Sequence, residues 1–343
     1  MKSKFMKIGW YVFAAGILLL GGGLFYVQSQ FQPPSDSGQA VEITVPEGAG
    51  AEDVGVQLKE KELIKNAKFF SLYLRFEGQS GLLKTGKYYL RQGMTMEEIA
   101  RVLVEGDASY NTVQFTVPEG LTLEQIAEAL DKQGLVKKDD FLKEADSGQF
   151  DYDFVKEIPQ NEAVEHRLEG YLFPETYEVF KEADAHQLID TMLKQTAAVF
   201  TPEWREQMKA RGLSVHQALT VASLIEREAQ AAKERPMIAG VIDNRLKAPM
   251  KLQIDATIQF ALGKQKETLL YADLEIESPY NTYKYEGLPP GPIASPGRDS
   301  IKAALYPTQH EFLFYVTKND GTGEHYFAKT FAEHEQNIAK SGL

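Results

Sequence analysis

The first pattern along the chain is an unbroken apolar run. From Ile8 to Val27, "IGWYVFAAGILLLGGGLFYV", no charged residue occurs, and roughly 20 such residues are enough to cross a bilayer core. Lys2, Lys4 and Lys7 precede it, and no acidic residue comes before Asp36. That asymmetry puts the tail, residues 1–7, in the cytoplasm and everything after the run outside. Trp10, Tyr11 and Tyr26 stand near its two ends, where amphipathic rings favour the interface. A cleaved signal peptide would have a shorter apolar core of about 7–15 residues and a small-residue cleavage site close behind. Residues 8–27 are therefore read as an uncleaved, single-pass anchor. The polar, proline-containing stretch 28–41 is its tether.

Beyond the tether the pattern repeats. "ITVPEGAGAEDVGVQLKEKELIKNAKFF" (Ile43–Phe70) aligns without a gap with "FTVPEGLTLEQIAEALDKQGLVKKDDFL" (Phe115–Leu142). Val54, Leu58, Leu63, Ile64 and Phe69 fall on Ile126, Leu130, Leu135, Val136 and Phe141. A shorter copy, "LRQGMTMEEIARVL" (Leu90–Leu103), matches "VPEGLTLEQIAEAL" (Val117–Leu130). Each copy reads as a short strand, a Pro or Gly turn and an amphipathic helix opening on a capping residue such as Thr95 or Thr122. Units this small cannot bury a core alone, so the copies are expected to pack together. The strand, the Gly-x-Thr turn and the Ile-Ala-x-x-Leu helix resemble a LysM module, which implies binding to glycans rich in N-acetylglucosamine. A spacer that holds the rest of the protein off the membrane explains the units equally well.

From Val215 to Ala229 the period changes. Val215, Ala218, Leu219, Ala222, Ile225 and Ala229 recur at steps of three and four, one face of a helix. With Val215 at zero, Glu226 falls at ~20°, inside the stripe, and Glu228 at ~220°, away from its centre. A carboxylate in an apolar stripe needs a partner or a proton. Glu226 is thus the anomalous residue of "ASLIEREAQ", and a buried ion pair with Arg245 or Arg298 is the plainer account of it on the helix alone. A second helix is predicted from about Pro236 to Lys247. In "LQIDAT" the alternation of Gln253, Asp255 and Thr257 with Leu252, Ile254 and Ala256 predicts a strand with one polar face. The segment from Gly287 to Gly297 is too rich in proline and glycine for helix or central strand, and reads as a stiff loop walling a cleft. Tyr280, Tyr283 and Tyr285 just before it offer flat faces for sugar rings.

Composition narrows the function. The 343 residues, 43% hydrophobic and 25% charged, are ordinary for two domains or one domain with appendages. A net charge of -12 with both signs interspersed argues against nucleic acid. The absence of cysteine excludes disulfides, thiolate metal sites and cysteine nucleophiles. The six histidines are scattered and no His-Glu-x-x-His occurs, so neither a metal nor another cofactor is expected. Ser223 and Ser295 lack a nucleophile elbow.

Seven segments, in order, now resemble a known family: "LEGYLFPETYEV" (Leu168–Val179), "ASLIEREA", "VIDNRLK", "MKLQIDATIQFALG", "SPYNTY", "GLPPGPIASPG" and "HYFAKTFAEHE". Together they are similar to the YceG-like (MltG) endolytic murein transglycosylases, over the C-terminal half of the chain. The resemblance implies an α+β protein: the transmembrane helix, then LysM-like units over 42–158, then an α+β catalytic domain over 159–343. It implies residence in the bacterial cytoplasmic membrane with the catalytic domain outside. Peptidoglycan glycan strands are the implied substrate, and peptidoglycan synthases (penicillin-binding proteins) and the elongation or division machinery the implied partners. Glu226 matches the family's catalytic glutamate, with Gln253, Asp255, Asn244, Tyr280 and Asn281 as candidates for substrate contact.

One carboxyl group can suffice for that chemistry. A glutamate raised toward a pKa of about 6 by an apolar setting can protonate the glycosidic oxygen between N-acetylmuramic acid and N-acetylglucosamine. Ionised, it can then take the proton of the muramic C6 hydroxyl as that oxygen closes onto C1, leaving a 1,6-anhydro end. A hydrolase would need a second carboxylate as nucleophile or base, for which Asp255, Glu169 and Glu175 are the candidates. A non-catalytic glycan-binding scaffold is the other alternative, and leaves Glu226 unexplained.

Overall fold

The structure is a computed structural model that describes residues 21–22, 25–35, 40–106, 112–161 and 163–342. The tail and most of the run from Ile8 to Val27 lie outside the described residues. Among the described residues, no helix is long and apolar enough to cross a membrane. The chain divides into two units, residues 1–113 with 179–181, and residues 114–178 with 182–343. The domain boundary expected near residue 158 therefore falls inside the second unit.

In the first unit, helix α1 (residues 25–31) leads into β1 (Ala40–Val45), α2 (Ala51–Glu60), α3 (Ala67–Phe76), β2 (Gly86–Arg91) and α4 (Met96–Glu105). β1 and β2 pair antiparallel with Ile43 opposite Tyr88 and Val41 opposite Leu90. The period of two puts Ile43, Val45, Tyr88 and Leu90 on one buried face. Against it lie Val54, Leu58, Phe70, Leu74, Ile99 and Leu103 from the three helices, forming one core. The helix starts follow their caps. Asn66 accepts from the amides of Lys68 and Phe69, and Thr95 and Glu98 form a reciprocal capping box. The first copy of the repeat and the short copy thus share a core as expected.

The copy from Phe115 to Leu142 belongs instead to the second unit. There β3 (Thr112–Thr116) pairs with β4 (Thr176–Phe180), and α5 (Leu123–Lys132), α6 (Lys138–Ser147) and the short α7 (Asp153–Lys156) intervene. Backbone bonds explain the allegiance: Val117 donates to Glu175, Gly120 to Ser295, and Ser295 to Leu121. Then follow α8 (Ala185–Val199), α9 (Pro202–Arg211), α10 (Val215–Glu228), a 3₁₀ turn (Ala232–Glu234), α11 (Arg235–Lys247), α12 (Asp255–Ala261), α13 (Tyr271–Leu274) and α14 (Arg298–Leu305). The hairpin β5 (Phe314–Thr317) and β6 (His325–Ala328) and the last helix α15 (Phe331–Ser341) close the unit. α10 packs against α11, α12 and α14, and is buried continuously from Ala218 to Ile225.

"LQIDAT" does not form the predicted strand. Residues 251–254 form neither helix nor strand, and Asp255 opens α12. Thr257 turns inward, fully buried, and its hydroxyl donates to the Ile254 carbonyl beside Thr282. Bonding of the Gln253 and Ile254 amides to Thr282 replaces a strand partner. Gln253 takes a left-handed φ of 51° there, a conformation that costs energy for any residue but glycine.

Glu169, one of the sequence's candidate carboxylates, serves the fold. It is 1% exposed, and its two oxygens accept from the Leu123 amide at the start of α5, at 3.2 and 3.0 Å, while Oε1 also accepts from Gly170. Burial pushes its pKa up to about 8, against the pull of those two amides and His166. Gly170 must be glycine: its φ is 75°, and a Cβ would run into Pro292 and the Ala294 carbonyl.

The folded state holds the Glu169 proton above the ordinary carboxylate pKa of 4.5, where the unfolded chain has released it. This group's contribution to stability is therefore complete below about pH 4.5 and is lost as pH rises through about 8. In Glu169→Gln, an amide replaces the protonated acid, and that slope should vanish. Denaturation midpoints measured from pH 5 to pH 8 should show the variant gaining on the parent as pH rises. Parallel curves would mean that Glu169 stays ionised.

Candidate active site

The stiff loop from Gly287 to Gly297 has few partners of its own for its amides, and α10 supplies them from one face. Ser223 Oγ accepts from the Ile293 amide at 3.0 Å, and Glu226 Oε2 accepts from Gly297 at 2.8 Å. Gly297 is the N-cap of α14, so the carboxylate also meets the positive end of that helix. Glu226 Oε1 takes an ion pair from Arg235 Nη2 at 3.3 Å, and the side chain is only 7% exposed. Arg235 in turn bonds Ser300 Oγ. The cation is thus Arg235, rather than the Arg245 or Arg298 suggested by the sequence. Glu119, from the turn of the second repeat copy, lies so close over Gly297 that a Cβ there would collide with its carboxyl. Burial raises the pKa of Glu119, and the negative charges of Glu226 and Asp299 add to the effect against Arg235.

Glu228 leaves the same helix on the other side. It opens into a cavity of about 480 Å³ lined by Arg245, Gln253, Asp255, Tyr283 and Tyr315 among others. Tyr315 Oη donates to Glu228 Oε2 at 2.8 Å. Burial raises the pKa of Glu228, the charge of Asp255 raises it further, and the Tyr315 hydroxyl, His325 and the Ala256 amide oppose them. Asp255 accepts a hydrogen bond from the Tyr283 hydroxyl. Arg245 is a fixed cation in the wall, its guanidinium donating to the carbonyls of Leu313, Lys251 and Leu252 and lying 5.3 Å from the Phe314 ring centre. The cavity therefore joins an acid biased toward its protonated form with a second carboxylate held by a phenol.

Of the residues singled out from the sequence, Gln253 and Asp255 line this cavity. The other three work within the fold. The Asn244 amide donates to the carbonyls of His310 and Phe312. Asn281 is fully buried, giving its amide to Leu274 and Ile276 and accepting from the Tyr283 amide. Tyr280 is 3% exposed and packs on Phe260 with ring centres 4.7 Å apart. Glu175 accepts from the Thr176 amide at the start of β4, outside the cavity lining. Among the described residues no group of His, Asp and Glu is arranged to hold a metal ion.

Tyr315 carried no signal in the sequence, but Glu228 did. Measured from Val215, Val221 falls at ~240° and Leu224 at ~180°, on either side of Glu228 at ~220°. Both are buried, at 3% and 0% exposure. α10 is apolar on two sides, so a single stripe could not rank its glutamates. Glu228 stands four and seven residues beyond the apolar pair on the second side.

Comparison with known proteins agrees with this architecture. Residues 43–340 match the YceG-like family. The endolytic murein transglycosylase of Bacillus subtilis (strain 168) is 40% identical over 329 residues, covering 93% of this chain and 90% of that protein. The endolytic murein transglycosylase of Streptococcus pneumoniae serotype 2 is 34% identical over 98% of this chain and 65% of its own length. The crystal structure of a yceG-like protein from Listeria monocytogenes superposes with a TM-score of 0.58 at 38% identity, covering 88% of this chain and 99% of that one. The chain belongs to the YceG-like family.

Proposed function

We propose that this protein is a membrane-anchored endolytic murein transglycosylase, cutting peptidoglycan glycan strands between N-acetylmuramic acid and N-acetylglucosamine, and that Glu228 is its proton donor. The relatives named as endolytic murein transglycosylases support the activity. The observation that carries the assignment of the acid is the contrast between two glutamates on one helix. Both oxygens of Glu226 are taken up by Arg235 and Gly297, whereas Glu228 faces a cavity and is biased toward its protonated form.

Glu228 gives its proton to the glycosidic oxygen as the bond to C1 of the muramic residue breaks. Asp255, held by Tyr283, stabilises the positive charge that develops on that ring. The glutamate, now ionised and still bonded to Tyr315, removes the proton of the muramic C6 hydroxyl as it closes onto C1. Gln253, fixed by its backbone in the same wall, presents an amide to the sugar substituents. The uncharged run from Ile8 to Val27 keeps the enzyme at the cytoplasmic membrane, near newly made strands and the synthases that extend them.

Glu228→Gln should lower glycan cleavage by about 10²–10⁴-fold, the usual worth of a general acid, with an unchanged fold. Glu226→Gln should act mainly on stability, costing about 1–3 kcal/mol through the lost ion pair, with the folded fraction still active. If cleavage were lost in Glu226→Gln and kept in Glu228→Gln, both proteins being folded, the roles would be reversed.

Asp255 beside the acid gives hydrolysis a specific basis, because a retaining or inverting glycosidase needs such a second carboxylate. Digestion in ¹⁸O-water decides between the two outcomes. The intramolecular hydroxyl enjoys an effective molarity of about 10⁵ M or more, so mass spectrometry should find unlabelled 1,6-anhydro ends. Labelled reducing ends as the main product would make the enzyme a muramidase with Asp255 as nucleophile or base.

A further inference from the structure

α3 has two apolar faces: one is buried in the core of the first unit, and the other is covered only in part, at Phe69 and Tyr73. With Phe69 at zero, Phe70 and Leu74 fall at ~100° and ~140° and point into the core. Tyr73, Phe76 and Leu72 fall at ~40°, ~340° and ~300°, making with Phe69 a second stripe. Lys68 and Arg75, at ~260° and ~240°, border it on the far side. Phe76 is 87% exposed and Leu72 59%. No acidic residue occurs between Lys65 and Phe76.

The other end of this stripe is occupied by α1. The ring of Tyr26 meets Phe69 edge-on with centres 6.1 Å apart, and Phe31 meets Tyr73 at 5.5 Å. Lys65 Nζ donates to the Ser29 carbonyl at 3.0 Å. α1 includes the last residues of the uncharged run, Phe25–Val27, so these contacts fix α3 at the point where that run ends. The apolar stripe of α3 is thus continuous with the end of the segment read as an anchor; its border beside the exposed Leu72 is cationic, whereas Glu77 and Glu97 lie near Tyr73 on the side toward the core.

We propose that this stripe of α3 lies in the headgroup–acyl boundary of the outer leaflet, with Leu72 and Phe76 inserted and Lys68 and Arg75 against anionic phospholipid headgroups. Exposed apolar side chains flanked by cations on one helix face suit that boundary, where burial of apolar area and attraction to anionic lipid act together. The inference rests on the anchor reading of residues 8–27. It gives the first unit a seat on the membrane in place of a free tether.

Because the chain contains no cysteine, Phe76→Cys, Leu72→Cys and, as a control on exposed α2, Glu52→Cys can each carry a single nitroxide label. The full chain would be reconstituted into vesicles of phosphatidylethanolamine and phosphatidylglycerol. Power-saturation measurements should give labels at 72 and 76 an oxygen-to-nickel accessibility ratio severalfold above that at 52. Equal ratios in protein that floats with the vesicles would overturn the seat and leave the anchor standing. Low accessibility to both reagents would overturn it in favour of a protein contact. Failure of the full chain to float with the vesicles would overturn the anchor and the seat together.

Discussion

The site depends on how a loop too broken by proline to bond itself is fastened to one helix. Backbone amides buried without acceptors cost free energy comparable to a lost hydrogen bond. The loop before α14 meets that demand with side chains three residues apart on α10, Ser223 for Ile293 and Glu226 for Gly297. A carboxylate is the stronger acceptor of the two, and it is placed where the dipole of α14 and the charge of Arg235 offset its desolvation. The same loop takes the second repeat copy into this unit through Ser295, which bonds Gly120 and Leu121. The turn around Glu119 and the end of α10 are held as one body by these bonds.

Once the loop fixes one side of α10, the geometry of the helix fixes the other. Two residues along a helix turn by about 200°, so a glutamate two positions after Glu226 leaves the opposite side. It leaves toward α12 and β5, whose groups bias it differently: among the described residues no cation bonds the Glu228 carboxyl, a phenol does, and Asp255 adds a negative charge nearby. Two carboxyl groups of the same helix turn thus meet opposite surroundings, one suited to a structural anion and the other to the acid we propose.

Much of this was legible in the sequence. The period of α10 gave its limits to within a residue at each end, Val215–Ala229 against Val215–Glu228, and the repeat gave the strand–turn–helix order of all three copies. What pattern alone did not reach was the set of tertiary partners. "LQIDAT" alternates like a strand, yet among the described residues no strand pairs with it, and Thr282 bonds its amides instead. Asn244 and Asn281 look like sugar-binding amides, and the side-chain nitrogens of both donate to carbonyls brought in from distant or irregular segments. Pattern reports which residues are out of place on an element. It does not report which neighbour has been supplied for them.

That distinction bears on the opening anomaly. A polar residue in an apolar stripe is a reliable sign that the fold has built something around it, but both a buried ion pair and an active-site acid satisfy that sign. What separates them is the state of the carboxyl group's own oxygens. An anion with an arginine on one oxygen and an amide on the other has little left with which to give up a proton or to meet a substrate. An acid needs a surrounding that penalises its charge without supplying a full counter-charge, and an opening wide enough for a sugar. Glu228, the acid we propose, is buried without a bonded counter-charge and beside a cavity of about 480 Å³, and the residue that completes its setting, Tyr315, comes from a strand 87 positions further along the chain. The pKa of a buried carboxyl group is for that reason a tertiary property, and the apolar pattern of α10 marks its glutamates as unusual without ranking them.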